Sequence, residues 1–260
     1  MLVIDKKFFM FNIKEVHFSD NPFDIEGCDY LNFCFCKNKV EDAGFTCQKR
    51  MTSVINLNQD LEAIWQKMDR TNTRYGIKRA EREGIKIRIN DKYEEFFQIY
   101  QNFMGKKGLN SFFRIFGTNF MPLDNIKRNG TLFVADLNNE ILGGILFVED
   151  DSNIEGLIGA SKRLEIEKEK NILVGCSNRL IWWEAIKYAK EKGIKVLDLG
   201  GLWPEEEAMK NPEKKGINSF KLKFGGDVVT RYSYQKICSR KLKLIYYLYN
   251  LTNFNKKPTL

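Results

Sequence analysis

Two hundred and sixty residues, 43% hydrophobic and 29% charged, hold enough apolar mass for a packed core and exclude a disordered chain. The length allows one large domain or two interlocked smaller ones, and 5 prolines with 19 glycines leave little material for a long linker. An excess of 42 Lys and Arg over 34 Asp and Glu, a formal charge of +8, favours an anionic partner such as phosphate, nucleic acid or an acidic lipid surface.

Residues 1–10 carry an acid and two lysines among too few apolar residues for a signal peptide. No apolar run approaches the roughly 18–20 residues that span a bilayer, so the expected location is cytoplasmic. Residues 1–56 mix short apolar runs with turn chemistry at Asn21-Pro22 and Asp42-Ala43-Gly44, which predicts strands joined by loops. The single histidine, His17, excludes zinc sites built on His pairs and Ser/His or Cys/His relays; without a partner motif it reads as a surface or half-buried side chain. The six cysteines show no C-x-x-C spacing and read as reduced, mostly buried thiols. Cys34 and Cys36 alternate with Phe33 and Phe35, which predicts one strand face rather than a metal pair.

From Asn58 the pattern turns helical. Leu61, Ile64, Trp65 and Met68 fall at helical spacing, and Arg74, Lys78, Arg79 and Arg82 follow before Gly84, predicting one or two helices with a basic face. Ile85, Ile87 and Ile89 then alternate with polar residues as a half-exposed strand. Asp91 caps a helix whose stripe of Tyr93, Phe96, Phe97, Tyr100, Phe103 and Met104 is core. A loop over 105–117 leads into a weaker helix ending at Gly130. Residues 131–136 and 141–148 about Asn138-Asn139 predict a hairpin, and 153–160 a third antiparallel strand.

A long helix is predicted over 171–190, with Leu173, Cys176, Leu180 and Trp183 along one side, followed by a short buried strand over 194–199 that runs into Gly200-Gly201. Then come a polar loop over 204–216, a brief helix over 217–224, the turn Gly225-Gly226-Asp227 and a strand over 228–234. The tail, 236–250, is basic and amphipathic, setting Ile237, Leu242, Ile245, Leu248 and Tyr249 against Lys236, Arg240, Lys241 and Lys243. It is expected to pack back on the N-terminal unit, with contact to the inner membrane face as the alternative.

This order from Ile85 onward resembles the GNAT acyltransferase fold. Three motif blocks, in order, resemble those of the Fem-type peptidoglycan aminoacyltransferases and their single-domain relatives: Arg74-Tyr-Gly-Ile-Lys78-Arg79-Ala80-Glu-Arg-Glu-Gly84-Ile-Lys-Ile, Asp198-Leu-Gly200-Gly201, and Gly216-Ile-Asn-Ser-Phe220-Lys221-Leu-Lys-Phe224-Gly225-Gly226. The resemblance runs from about residue 56 to 234 and leaves 1–55 uncovered. It implies an α/β fold with a mixed, mostly antiparallel central sheet flanked by helices. Fem-type enzymes contain two GNAT-like units, so a reduced N-terminal unit, 1–84 completed by 235–260, is expected beside a complete unit, 85–234.

Fem-type enzymes move an aminoacyl group from aminoacyl-tRNA to an amine on a cell-wall precursor, whereas ordinary GNAT enzymes use acyl-CoA. A CoA pyrophosphate needs a row of backbone N–H groups, usually glycine-rich, where the long helix opens. Here Glu167-Lys-Glu-Lys170-Asn171 opens it, and the first glycine is Gly175. The expected donor is therefore aminoacyl-tRNA, with acetyl-CoA and an amino sugar or amino acid acceptor as the alternative. The expected acceptor is a cell-wall peptide or lipid-linked precursor, with no cofactor beyond the donor and no metal. A non-catalytic RNA- or membrane-surface-binding protein is a third reading, motivated by charge and tail.

Acyl transfer to an amine passes through a tetrahedral oxyanion, which needs a cationic or N–H donor and an acceptor for the amine proton. Lys221 matches the lysine of the family's Phe-Lys motif, which the resemblance implicates in contacting the RNA end and stabilising the transition state. Asp198 either accepts the amine proton or holds the Gly200-Gly201 turn. Phe220 and Phe224 share a helix face and either pack beneath Lys221 or stack on the donor's terminal adenine, core packing being favoured for Phe224. Arg74, Lys78 and Arg79 form a cationic face suited to a diphosphate or carboxylate of the acceptor. Trp203 is expected to line the substrate channel. No general base stands out.

Overall fold

Strand alternation and helical periodicity set the element order, which a computed structural model describes for residues 1–41, 44–106, 123–164 and 168–253. The first strands are β1 (Leu2–Phe8), β2 (Phe11–His17), β3 (Tyr30–Cys36) and β4 (Thr46–Asn56). Helix α1 (Leu61–Lys67), a π-helical turn (Arg70–Arg74), α2 (Tyr75–Arg82), β5 (Lys86–Ile89), α3 (Tyr93–Lys106) and α4 (Leu123–Asn129) follow. Next come β6 (Thr131–Leu137), β7 (Glu140–Glu149), β8 (Asn153–Ser161), the long α5 (Lys168–Glu191) and β9 (Val196–Leu202). The chain continues through α6 (Glu205–Lys210), α7 (Pro212–Leu222), β10 (Asp227–Ile237) and α8 (Arg240–Asn253). Most of the loop predicted at 105–117 lies outside the described residues.

Two compact units result, Met1–Arg50 with Thr230–Leu260, and Met51–Val229. Of the described residues, 230–253 group with the N-terminal segment, and 51–84 group with the second unit. The reason is pairing: Met51 to Asn56 form an antiparallel ladder with Leu202 to Val196 of β9, and α2 packs along α5.

In the first unit β1 and β2 form a hairpin, β2 runs parallel to β3, and β3 is antiparallel to β10. One sheet face buries Val16, Leu31, Phe33, Cys36 and Tyr234. Phe35 takes φ 54° beside a register shift between Tyr232 and Tyr234. Cys36 thereby joins the Phe33 face while Cys34 sits with Glu15 and Asn32. The shared face expected for the two thiols is corrected by that irregularity.

Of the six thiols, Cys36 and Cys176 are buried, Cys28, Cys34 and Cys238 half-buried and Cys47 exposed, so burial is less general than expected. His17 is also corrected: it is buried at 1% exposure, with Nε2 3.0 Å from Glu15 Oε1. In the basic tail Lys236 and Ile237 end β10 and Arg240–Asn253 form α8, of whose apolar side chains Leu242 is buried while Leu244, Tyr246, Tyr247 and Leu248 are exposed.

The second unit orders its strands β4-β9-β8-β7-β6-β5. All neighbours are antiparallel except β8 and β9. Helix α5 lays Val174, Leu180, Ile181, Trp182 and Ile186 on the sheet, where they meet Phe133, Phe147, Leu197 and Phe224. The segment 204–216, expected to be a polar loop, instead carries two helices. Three glutamates in the first turn of α6 suit the helix dipole. Asn211 caps α7 by accepting from the N–H groups of Glu213 and Lys214, with Pro212 at the first helical position.

Candidate active site

Strands β8 and β9 run side by side through only three pairs, Asn153↔Val196, Ile154↔Leu197 and Glu155↔Asp198. Both strands continue past that point without pairing to each other, so a gap opens at Gly156 and Leu199. Gly200 bends the backbone there with φ +82°, a conformation that strains any side chain. Lys221, from α7, points into this place. Its Nζ donates to the Gly201 carbonyl at 2.8 Å, and a Cβ on Gly200 would stand 3.2 Å from it.

Asp198 lies at the last paired position. Its Oδ1 accepts from the Thr52 hydroxyl and, at 2.7 Å, from the Gly200 N–H. It therefore holds the turn, one of the two roles expected of it. Burial, and then the neighbouring Glu155 carboxylate, push its carboxyl up to about 7; the Thr52 and Gly200 hydrogen bonds and the Lys221 charge oppose the rise. Lys221 moves the other way, lowered by burial while Asp198 and Glu155 resist. The two shifts bring the proton affinities of the acid and the amine closer together.

The three motif blocks converge although they are far apart in the chain. The π-helical turn ending at Arg74 is tied to the end of α7: Asp69 N–H donates to the Lys223 carbonyl at 2.9 Å, and the Thr73 hydroxyl to the same carbonyl at 2.9 Å. Gly225, φ +75°, passes so close to α1 that a Cβ would lie 2.3 Å from the Lys67 carbonyl oxygen.

Arg74 is half-buried, donates to Gln66 Oε1 at 2.6 Å and leaves its Nε buried without a hydrogen-bond partner. Lys78 and Arg79 are not drawn into the site. Lys78 is exposed over the Trp65 ring at 5.8 Å, and Arg79 pairs with Glu83 one turn on at 3.6 Å. Phe220 and Phe224 do share a face, with centroids 5.3 Å apart, but Phe224 is 1% exposed and packs on Trp182. Its face is unavailable to an adenine, which removes it from the substrate-binding set.

Phe220 is half-buried beneath the guanidinium of Arg179, 5.3 Å from its ring centroid. Arg179 is a residue that sequence reasoning passed over. It crosses α2 at Gly76, where a Cβ would meet its Cδ at 2.5 Å, and it donates to the Gly175 carbonyl at 2.6 Å. Its Nε is also buried without a hydrogen-bond partner. Glu155 and Thr52 were passed over as well. The only available signal was a charge inside the apolar run Ile154-Glu155-Gly156-Leu157-Ile158.

The opposite face of α7 borders a cleft of about 790 Å³. Lys215, Ser219 and Leu222 of α7 line it together with Leu202, Trp203 and Met209. Trp203 lines this cleft, with Lys214 Nζ 4.0 Å from its ring centroid. The Gly201 carbonyl that holds the Lys221 amine immediately precedes Leu202 and Trp203 of the cleft wall.

The sequence matches no protein-family model and no curated protein. Among solved structures, FemX is similar over 94% of this chain and 85% of its own, at 12% identity and a TM-score of 0.59. The chain has the GNAT-like α/β fold of FemX. A C-terminal domain from Agrobacterium fabrum, described as that of a lysylphosphatidylglycerol synthetase, is similar over 96% of this chain and 84% of its own, with 14% identity and a TM-score of 0.61. The L-PGS structure from Bacillus licheniformis is similar over 85% of this chain and 72% of its own, with 16% identity and a TM-score of 0.52. Among the described residues, no helix is long and apolar enough to cross a membrane.

Proposed function

We propose that the protein is an acyltransferase of the Fem type, which passes an aminoacyl group from aminoacyl-tRNA to an amine of a cell-envelope peptide precursor. The observation that carries this reading is the setting of the motif lysine, Lys221, which is half-buried with its Nζ on the Gly201 carbonyl at the strand gap, near Asp198 and Glu155. A lysine on an exposed helix would have no such setting. In the reaction the acceptor nitrogen attacks the ester carbonyl, the carbonyl oxygen gathers negative charge, and the ammonium of Lys221 donates to it. The new N–C bond forms as the nitrogen loses a proton, and the ester C–O bond breaks as the ribose oxygen gains one. Asp198, sensitive to its protonation near neutral pH, is placed to carry that proton with Lys221.

Phe220 and the Arg179 guanidinium above it offer a stacking surface and a positive charge to the RNA end. The opening of α5 favours this donor over CoA, because its first glycine, Gly175, lies two turns inside the helix. A lipid-borne acceptor is a second reading. It is favoured by the apolar cleft of Leu202, Trp203, Met209 and Leu222 on the helix that carries Lys221, and by the likeness to the two synthetase structures.

The test is transfer of radiolabel from a pool of charged tRNAs to a peptide amine or to phosphatidylglycerol vesicles, with acetyl-CoA turnover run in parallel. Label reaching a peptide supports the first reading, and label reaching lipid the second. Thiol release from acetyl-CoA without any transfer from tRNA would overturn both.

A further inference from the structure

The first unit contains a buried polar patch that the acyl-transfer reading does not use. Glu15 and His17 stand two apart on β2, and Asn32 and Cys34 two apart on β3. The two strands are parallel with Glu15 opposite Asn32, so all four side chains fall on one sheet face as a two-by-two block. Glu15 is 6% exposed and His17 1%. A carboxylate oxygen of Glu15, a ring nitrogen of His17 and the Cys34 sulfur all lie within 4.8 Å of one another. Burying this many polar groups on a strand face is costly unless they are satisfied together.

We propose that Glu15, His17 and Cys34 form a binding site for a divalent transition-metal ion of the zinc type. The donor set decides the ion: a thiolate and an imidazole select zinc-like ions over calcium or magnesium, which take oxygen ligands. Tetrahedral zinc, with bonds of about 2.0–2.3 Å, places its ligand atoms roughly 3.3–3.8 Å apart. The Glu15–His17 pair, 3.0 Å apart, opens slightly and the longer separations close by up to about 1.5 Å, which side-chain rotation on fixed strands supplies.

Lys6 pairs with Glu15 Oε1 at 2.9 Å and Asn32 Nδ2 lies 3.5 Å from Oε2, so the carboxylate is oriented by neighbours, as ligating carboxylates are. The Lys6 charge is offset on binding because Cys34 gives up its proton: a carboxylate, a thiolate and one ammonium leave a net single negative charge to receive the ion. Asn32 Nδ2 lies 3.4 Å from the Cys34 sulfur, so the amide rotated by a half-turn would bring its oxygen there as a fourth ligand, the alternative being a water.

The probe is Co²⁺ added to the full chain under reducing, oxygen-free conditions, followed by desalting. About one cobalt per chain is expected, with a thiolate-to-cobalt charge-transfer band and the visible bands of a four-coordinate ion. Cys34→Ser removes the charge-transfer band, while Cys28→Ser, whose thiol stands 3.8 Å from that of Cys238, keeps it. His17→Gln keeps the thiolate band but weakens cobalt binding by about tenfold or more. Failure of the unsubstituted chain to retain cobalt overturns the site without recourse to any variant. A charge-transfer band that survives Cys34→Ser in protein with unchanged circular dichroism overturns it equally.

Discussion

Asp198→Asn isolates the charge at the strand gap. Asn keeps an Oδ1 that can accept from the Thr52 hydroxyl and the Gly200 N–H, so the turn is preserved while the titration disappears. In the native chain the carboxyl moves from 3.8 to about 7, which at about 1.4 kcal/mol per pH unit corresponds to about 4 kcal/mol. Between these two values the folded chain holds a proton that the unfolded chain has released. Stability from this group is therefore fully present below pH 3.8 and is lost as pH rises through 7. For a unit of this size about 1 kcal/mol moves the melting temperature by about 2–4 °C, so about 8–16 °C is at stake. Thermal melts of both proteins from pH 4.5 to 8.5 in one buffer series provide the assay. Their difference cancels the titrating groups that do not interact with Asp198, and it should move in favour of the variant as pH rises. A difference constant within about 2 °C across the series would refute the buried, proton-holding carboxyl.

Lys221→Met should lower transfer by about 100- to 1,000-fold, measured as initial rate under saturating donor, the loss expected for one oxyanion donor. Gly200→Ala should cost about 1–2 kcal/mol through its φ of +82° and crowd the Lys221 amine, read as a melting shift of about 2–8 °C together with a lower kcat. Phe224→Ala should lower stability by about 3–5 kcal/mol because the ring is 1% exposed, while Phe220→Ala should chiefly raise the KM for charged tRNA. Trp203→Ala should leave the donor KM unchanged and raise the KM for the acceptor that occupies the cleft; equal effects on both would refute its place there.

Much of the fold was legible because it is local. Alternation at Ile85 to Ile89, the aromatic stripe of α3 and the apolar side of α5 each carry their period in the chain itself, and the structure forms the elements they announce. The second half of α7 fell within the brief helix predicted over 217–224, but its first turns and α6 read as a polar loop although Asn211-Pro212-Glu213 marks the start of α7. Lys221 and Asp198 could be singled out from their motifs, and α7 brings the lysine onto the Gly201 carbonyl of β9, three residues beyond Asp198 and within reach of its charge.

What the chain alone could not reveal are the relations set by pairing between distant strands. Glu155 faces Asp198 only because β8 and β9 run parallel in one register, and Thr52 reaches it only because β4 is the other neighbour of β9. The shift of Asp198 to about 7 follows from that enclosure, since burial is a property of the assembled sheet and not of the residue. In the same way His17, unremarkable beside Val16 and Phe18, gains Cys34 as a neighbour through the parallel pairing of β2 and β3. Local sequence determined which segments become helix or strand and which lysine belongs to a motif. Tertiary structure decided which carboxylates, thiols and rings share a site, because those distances close only when segments far apart in the chain are laid side by side.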